Sequence, residues 1–295
     1  MLLTTLEARR ISFPYREWVL QHRFITFFVL TLAIQQVCVF YYMLGGKGAW
    51  ILMKLEMLGP MAAASFLIWL QYGMPRVQEA LKKLLHWRVH PVWYFHALFW
   101  MPFAAFLAVA VRNLITGEPW YAIDTYWRVI PDTGFFNFLA VLVLSISEEF
   151  AWFGYAFAVL YGRFSAIKAA VLTGLAWGLT YVPLWWLQHW VAPDQPLWTV
   201  LLGYISWGIV CGWIYNCTRS ALLLALMQIA SNYSYSVFLT LPHLTGESLS
   251  LKLTTIALLT IAILLAAFHG FQHMSGGRAT WRGEWDEEHP GPRPV

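Results

Sequence analysis

Glu148 and Glu149 stand side by side in SISEEFAWFGYAF, the stretch from Ser145 to Phe157 that is otherwise almost wholly apolar. A carboxyl group takes up and releases protons, and a positioned one can serve as a general base or acid. Further along, Gln228 and Asn232 lie four residues apart in QIASN, a spacing that sets both amides on one face of a helix. Trp177 and Tyr181 are four apart in WGLTY, and a phenol, like an amide, can donate a hydrogen bond. Two adjacent glutamates in an apolar run are expensive, and their mutual repulsion opposes both being charged at once. Such a pair marks a chemical site, a polar network that pins helices together, or a proton-coupled carrier. The elements that carry these residues decide among these readings.

Those elements lie in a membrane. Of 295 residues 59% are apolar and 12% charged, against about 25% charged in soluble domains. Twenty Phe, 18 Trp and 14 Tyr suit broad interfacial belts. A spanning helix needs about 20 mostly apolar residues. Eight segments qualify: roughly 24–43, 50–72, 92–111, 133–161, 167–187, 197–217, 220–241 and 249–269. The second is interrupted by Lys54, Glu56 and Pro60; Lys54 and Glu56 lie near its end and are expected to reach for headgroups. The fold class expected is therefore an all-α polytopic membrane bundle of about eight helices. With both termini cytoplasmic, 14 basic residues fall on that side and four (Lys47, Arg112, Arg128, Lys252) on the other, Lys54 set aside. A bias of that sign orients membrane proteins, and a bacterial plasma membrane is the expected location.

Counting from the cytoplasmic helix ends gives depth. Glu148 and Glu149 lie ~18 Å in, Gln228 and Asn232 ~12 and ~18 Å, and Trp177 and Tyr181 ~15 and ~21 Å, at 1.5 Å per residue. All fall in the middle of a hydrocarbon layer ~30 Å thick. An ionisable side chain there costs ~2.5–3.5 kcal/mol on the milder scale, so it faces the bundle interior and is read first as functional.

The rest of the chain is quieter. Residues 1–23 read as a basic amphipathic lead-in, and VQEALKKLLHWRVH (77–90) as an amphipathic helix on the membrane surface. Residues 24–270 form the bundle, and 271–295, rich in Gly and Pro, read as a disordered polar tail. Cys38, Cys211 and Cys217 have neither disulfide nor metal spacing. There is no HExxH, and the nine histidines fall outside the motif positions, so neither a metal nor another cofactor is expected. His96 reads as a packing residue.

The polar motifs together resemble the CPBP family of CAAX-prenyl-protease and bacteriocin-processing (Abi-type) membrane endopeptidases, over roughly residues 133–241. EEFAWFGY stands where that family has EExxxR followed by Gly-Tyr, WGLTY where it has FxxxH, and QIASN where it has HxxxN or HxxxD. The resemblance implies that Glu148 is the general base, that Tyr181 sits where a histidine helps activate the water, and that Gln228 and Asn232 bind the oxyanion of the scissile carbonyl. Glu149 is the second carboxylate of the first motif. The lipid bilayer and a membrane-borne peptide or protein, including one with a lipidated C-terminus, are the partners implied; nucleic acid is not.

Three positions depart from the pattern: Phe153 stands for the arginine, and Tyr181 and Gln228 for the two histidines. Without the arginine, nothing in the motif pairs with Glu149. A phenol, with a reference pKa of about 10, is no base near neutral pH, yet it can orient a water. The Gln228 amide can polarise a carbonyl as the histidine would. The degenerate set leaves two family readings open, an active glutamic-type endopeptidase and a pseudoprotease that binds without cutting. The carrier reading lacks the matching halves with broken helices that transporters show.

Overall fold

The computed structural model describes residues 15–45, 56–82, 84, 86–117, 134–187 and 194–275, with only the backbone considered for 134–140. Among the described residues the ordered structure is helical. In chain order it comprises α1 (Arg16–Gln21), α2 (Arg23–Met43), a 3-10 turn (Glu56–Leu58), α3 (Gly59–Tyr72), α4 (Met74–Lys82) and α5 (Pro91–Thr116). Next come α6 (Gly134–Glu149), a π-helical segment (Phe150–Phe157), α7 (Ala158–Tyr161), α8 (Ala166–Thr180) and α9 (Val182–Trp186). The last four are α10 (Leu197–Thr218), α11 (Ala221–Val237), α12 (Pro242–Thr245) and α13 (Leu249–His269).

Seven of the described stretches are long and apolar enough to cross a bilayer: Arg23–Met43, Pro91–Thr116, Val141–Tyr161, Ala166–Trp186, Leu197–Thr218, Ala221–Thr245 and Leu249–His269. The chain is thus an integral multi-pass membrane protein with an all-α bundle. Large apolar side chains stand exposed on its rim, including Phe40, Phe106, Leu114 and Phe268, as lipid contact requires. The expected second span is described only from Glu56 onward. Its helical part, α3, has 14 residues, too few to cross alone, and 46–55 lie outside the described residues. The surface helix is also shorter than the pattern implied: α4 ends at Lys82 with Val77 and Ala80 buried, and 86–90 are not helical.

The stretch from α6 through α7 is the axis of the bundle. Every side chain from Ser145 to Tyr161 is buried, and Trp152, Phe153, Tyr155 and Phe157 sit in the main apolar core. Around it, α8 and α10 cross so closely that their backbones touch. A Cβ built on Gly208 would lie 2.6 Å from the Ala170 carbonyl oxygen, and one on Gly174 would lie 2.9 Å from Ile205 Cα. Small residues at such a crossing are what lets membrane helices approach. This contact fixes the height of Trp177 and Tyr181 on α8 against Tyr204 on α10.

Two ends are pinned by polar contacts. Arg16 donates to the Leu70 carbonyl at 3.3 Å and Arg23 to Gln71 Oε1 at 2.9 Å, tying the start of the described chain to the end of α3; residues 1–14 of the expected lead-in lie outside the description. The expected tail begins later than 271. The Ala166 and Ile167 amides donate to the Gln272 and Phe271 carbonyls, Asn216 donates to the His273 carbonyl, and Met274 is fully buried. Residues 276–295 lie outside the description. Cys38, Cys211 and Cys217 are free thiols. His96 lies among aromatic rings, Trp213 at 4.9 Å and Trp100 at 5.9 Å between centroids, as the packing reading expects.

Candidate active site

The glutamate pair closes α6 just where the helix changes form. Phe150–Phe157 adopts the wider π-helical winding, a form that is rare and tends to occur at functional sites. Both glutamates are 0% exposed, so neither points at lipid or solvent. Their surroundings differ.

Glu148 is met by α11. The Gln228 amide donates to Glu148 Oε2 at 2.8 Å, joining two of the three sequence motifs directly. The second carboxylate oxygen, Oε1, and the Gln228 carbonyl oxygen have no hydrogen-bond partner among the described residues. Both face the interior as open acceptors. An amide nitrogen carries two protons, so Gln228 keeps one donor after serving Glu148.

Glu149 sits among rings. Trp207 on α10 is its neighbouring donor, although neither carboxylate oxygen has a hydrogen bond of ordinary geometry among the described residues. Among the described residues no cation takes the arginine's place beside Glu149. Phe153 is fully buried, 6.0 Å from the Phe157 ring and 6.3 Å from Trp177 between centroids, so an aromatic seam occupies the place of the cation. Trp152 stacks on Trp177 at 5.6 Å and extends that seam to α8.

Tyr181 ends α8. Pro183 follows two residues later and opens α9 near its start; a proline disfavours helical geometry in the residue before it, and the span breaks here. The phenol therefore lies at a helix joint, stacked on Tyr204 at 4.8 Å, with the two hydroxyls within electrostatic reach of each other. Glu148 lies within electrostatic reach of Tyr181. Thus Glu148, Glu149, Tyr181 and Gln228 come from three helices to one region of the interior. Asn232 does not complete it: its side chain is exposed on α11, one turn beyond Gln228.

The motifs missed three participants. Tyr204 and Trp207 carry no signal in a chain so rich in aromatics, because only the crossing of α8 and α10 turns them inward. Glu56 did carry one, as an ionisable residue inside an expected span. Reading it as a group reaching for headgroups is corrected by the structure, which buries it to 7% exposure within electrostatic range of Glu148 and Tyr181. A glutamate is shorter than the lysine and arginine stems that reach headgroups from depth, and that difference was legible.

With this arrangement in view, the comparisons with known proteins take on a location. Residues 131–234 match the family described as type II CAAX prenyl endopeptidase Rce1-like, a span holding all five motif residues. A CAAX prenyl protease 2 from Methanococcus maripaludis is 32% identical over 102 residues, which amount to 32% of this chain and 38% of that protein. The matched stretch is therefore well under two thirds of the relative's length.

Proposed function

We propose that this chain, which belongs to the CPBP family through residues 131–234, is an intramembrane endopeptidase of glutamic type. The observation that carries the reading is the hydrogen bond from Gln228 to a wholly buried Glu148: the base and the oxyanion donor implied by the motifs are already joined, at membrane depth, despite the changed residue. In this reading Glu148 takes a proton from water as the water oxygen bonds to the scissile carbonyl carbon. The free Gln228 proton donates to the oxygen that gains charge, the largest usual source of acyl-transfer catalysis. Tyr181, held by Tyr204, orients the water without accepting its proton. Asn232 at the exposed edge of α11 meets a substrate as it enters from the bilayer.

The substrate class follows from the depth of the base and the name of the relative: a membrane-borne peptide, with a prenylated C-terminal peptide the first to try. Purified protein in proteoliposomes should cut such a peptide, and Glu148→Gln should abolish the cut. A wild-type protein that binds the peptide and leaves it intact over long incubation would replace this reading with a binding role. Cleavage that survives Glu148→Gln removes Glu148 from the mechanism.

A further inference from the structure

Glu56 is a third carboxylate of the interior, outside the matched stretch. It opens the 3-10 turn Glu56–Leu58, and its Oε2 has no hydrogen-bond partner among the described residues. The helix dipole favours an acidic side chain in a first turn, and that would account for a glutamate at a surface. It does not account for one withdrawn to 7% exposure with an unpartnered oxygen.

The turn is wedged between two helices. It packs on α6, which carries Glu148, and on α2, where Gln35 is 5% exposed and its own Oε1 is likewise without a partner. A Cβ built on Gly59, just after the turn, would lie 3.0 Å from Ile34 Cγ2 and 3.7 Å from Gln35 Cγ. The turn cannot draw back from α2 without loss of packing, so Glu56 stays buried beside α6.

Amide hydrolysis moves two protons: one is taken from water and one is given to the leaving nitrogen, by one carboxyl group in turn or by two that share the task. Tyr181, in the place of the family's water-assisting histidine, does not accept a proton near neutral pH. We infer that Glu56, on the turn that packs against the helix of Glu148, is the second proton-handling group of the site; the inference rests on the endopeptidase reading. In its neutral form Glu56 gives its proton to the nitrogen as the carbon–nitrogen bond breaks. Glu148 holds the proton taken from water while the new carbon–oxygen bond forms. That proton then passes to Glu56 and restores both groups. The products are a carboxylic acid and an amine, and water is the one co-reactant consumed.

The test uses the full chain in proteoliposomes with a prenylated fluorogenic peptide, comparing wild type, Glu56→Gln and Glu56→Asp. Glu56→Gln should lower kcat by about 10²–10⁴, the usual share of general acid–base catalysis, with KM unchanged, and Glu56→Asp should recover part of the loss. Because the glutamine keeps the shape and removes only the ionisable proton, its thermal midpoint in detergent should equal or exceed that of wild type. Glu56→Gln turning over at the wild-type rate overturns the role while leaving the endopeptidase reading intact. A fall in kcat that tracks a fall in midpoint and is not recovered by Glu56→Asp also overturns it, in favour of a structural residue. A folded wild type that cuts nothing overturns the endopeptidase reading first, before any variant is compared, and this role falls with it.

Discussion

Replacing Gln228 with leucine removes the contact on which the site reading depends and keeps the bulk of the side chain. In the structure the amide reaches Glu148 Oε2 at 2.8 Å, and Glu148 is 0% exposed with Oε1 already unpartnered. The variant leaves a buried carboxyl group without its donor, which lowers stability by about 1–3 kcal/mol. It also removes the second amide proton, the one free to meet a developing oxyanion; loss of one such donor lowers kcat by about 10²–10³. Both effects come from a single nitrogen, so they should move together. Gln228→His restores a ring N–H where the family pattern has one, and should return activity to within about tenfold of wild type, the equivalent of 1.36 kcal/mol. The assay is cleavage of a prenylated fluorogenic peptide in proteoliposomes, beside thermal unfolding in detergent for each variant. Gln228→Leu at wild-type rate and wild-type midpoint would refute the reasoning, for the amide would then neither hold Glu148 nor serve the substrate.

Gly208→Ala should destabilise the bundle by about 1–3 kcal/mol, because its Cβ would lie 2.6 Å from the Ala170 carbonyl oxygen. Gly203→Ala on the same helix meets nothing within 4 Å and should melt at or above the wild-type midpoint, since alanine favours helix over glycine; equal midpoints for the two variants would dismiss the crossing as a constraint. Tyr181→Phe removes the hydroxyl beside that of Tyr204. A net hydrogen bond of about 0.5–1.5 kcal/mol translates to roughly a 2- to 12-fold fall in kcat, and an unaltered rate would show that the phenol orients nothing. Phe153→Arg puts a cation beside Glu149 within a fully buried seam. It should fold with Glu149 present and fail when combined with Glu149→Gln, since an uncompensated buried charge costs about 3–5 kcal/mol; equal expression and melting of the single and double variants would refute the pairing.

The class of the molecule was legible because hydrocarbon is an unforgiving solvent. A glutamate pair in the middle of a counted span had to face inward, and the structure buries both, with Gln228 reaching Glu148. Depth, however, fixes only height along a helix. Rotation about the axis is set by packing, and Asn232, placed beside Gln228 by spacing alone, stands exposed on α11. The π-helical winding of Phe150–Phe157 was invisible for a related reason. It changes the angular step between residues, so a face counted at 3.6 residues per turn drifts through it. At the second span Lys54, Glu56 and Pro60 interrupt the apolar run, and the described part is a short helix entered through a turn whose Glu56 is buried.

The three altered motif positions then take on a common physical sense. Arginine beside Glu149 would require a charged partner kept in register at full burial; an aromatic seam of Phe153, Phe157 and Trp177 removes that requirement. Exchanging histidines for Tyr181 and Gln228 removes the groups that titrate near neutral pH and keeps hydrogen-bond donors at both places. A second proton carrier for such a site would have to come from a different element, and the turn before α3 carries Glu56. Glutamates from two elements of the bundle are sufficient for proton transfer if Glu56 and Glu148 work on the same substrate. If they do not, Glu148 alone carries the proton from water to the leaving nitrogen, as a single base can. The kcat of Glu56→Gln separates these two physical pictures more sharply than any further comparison of motifs.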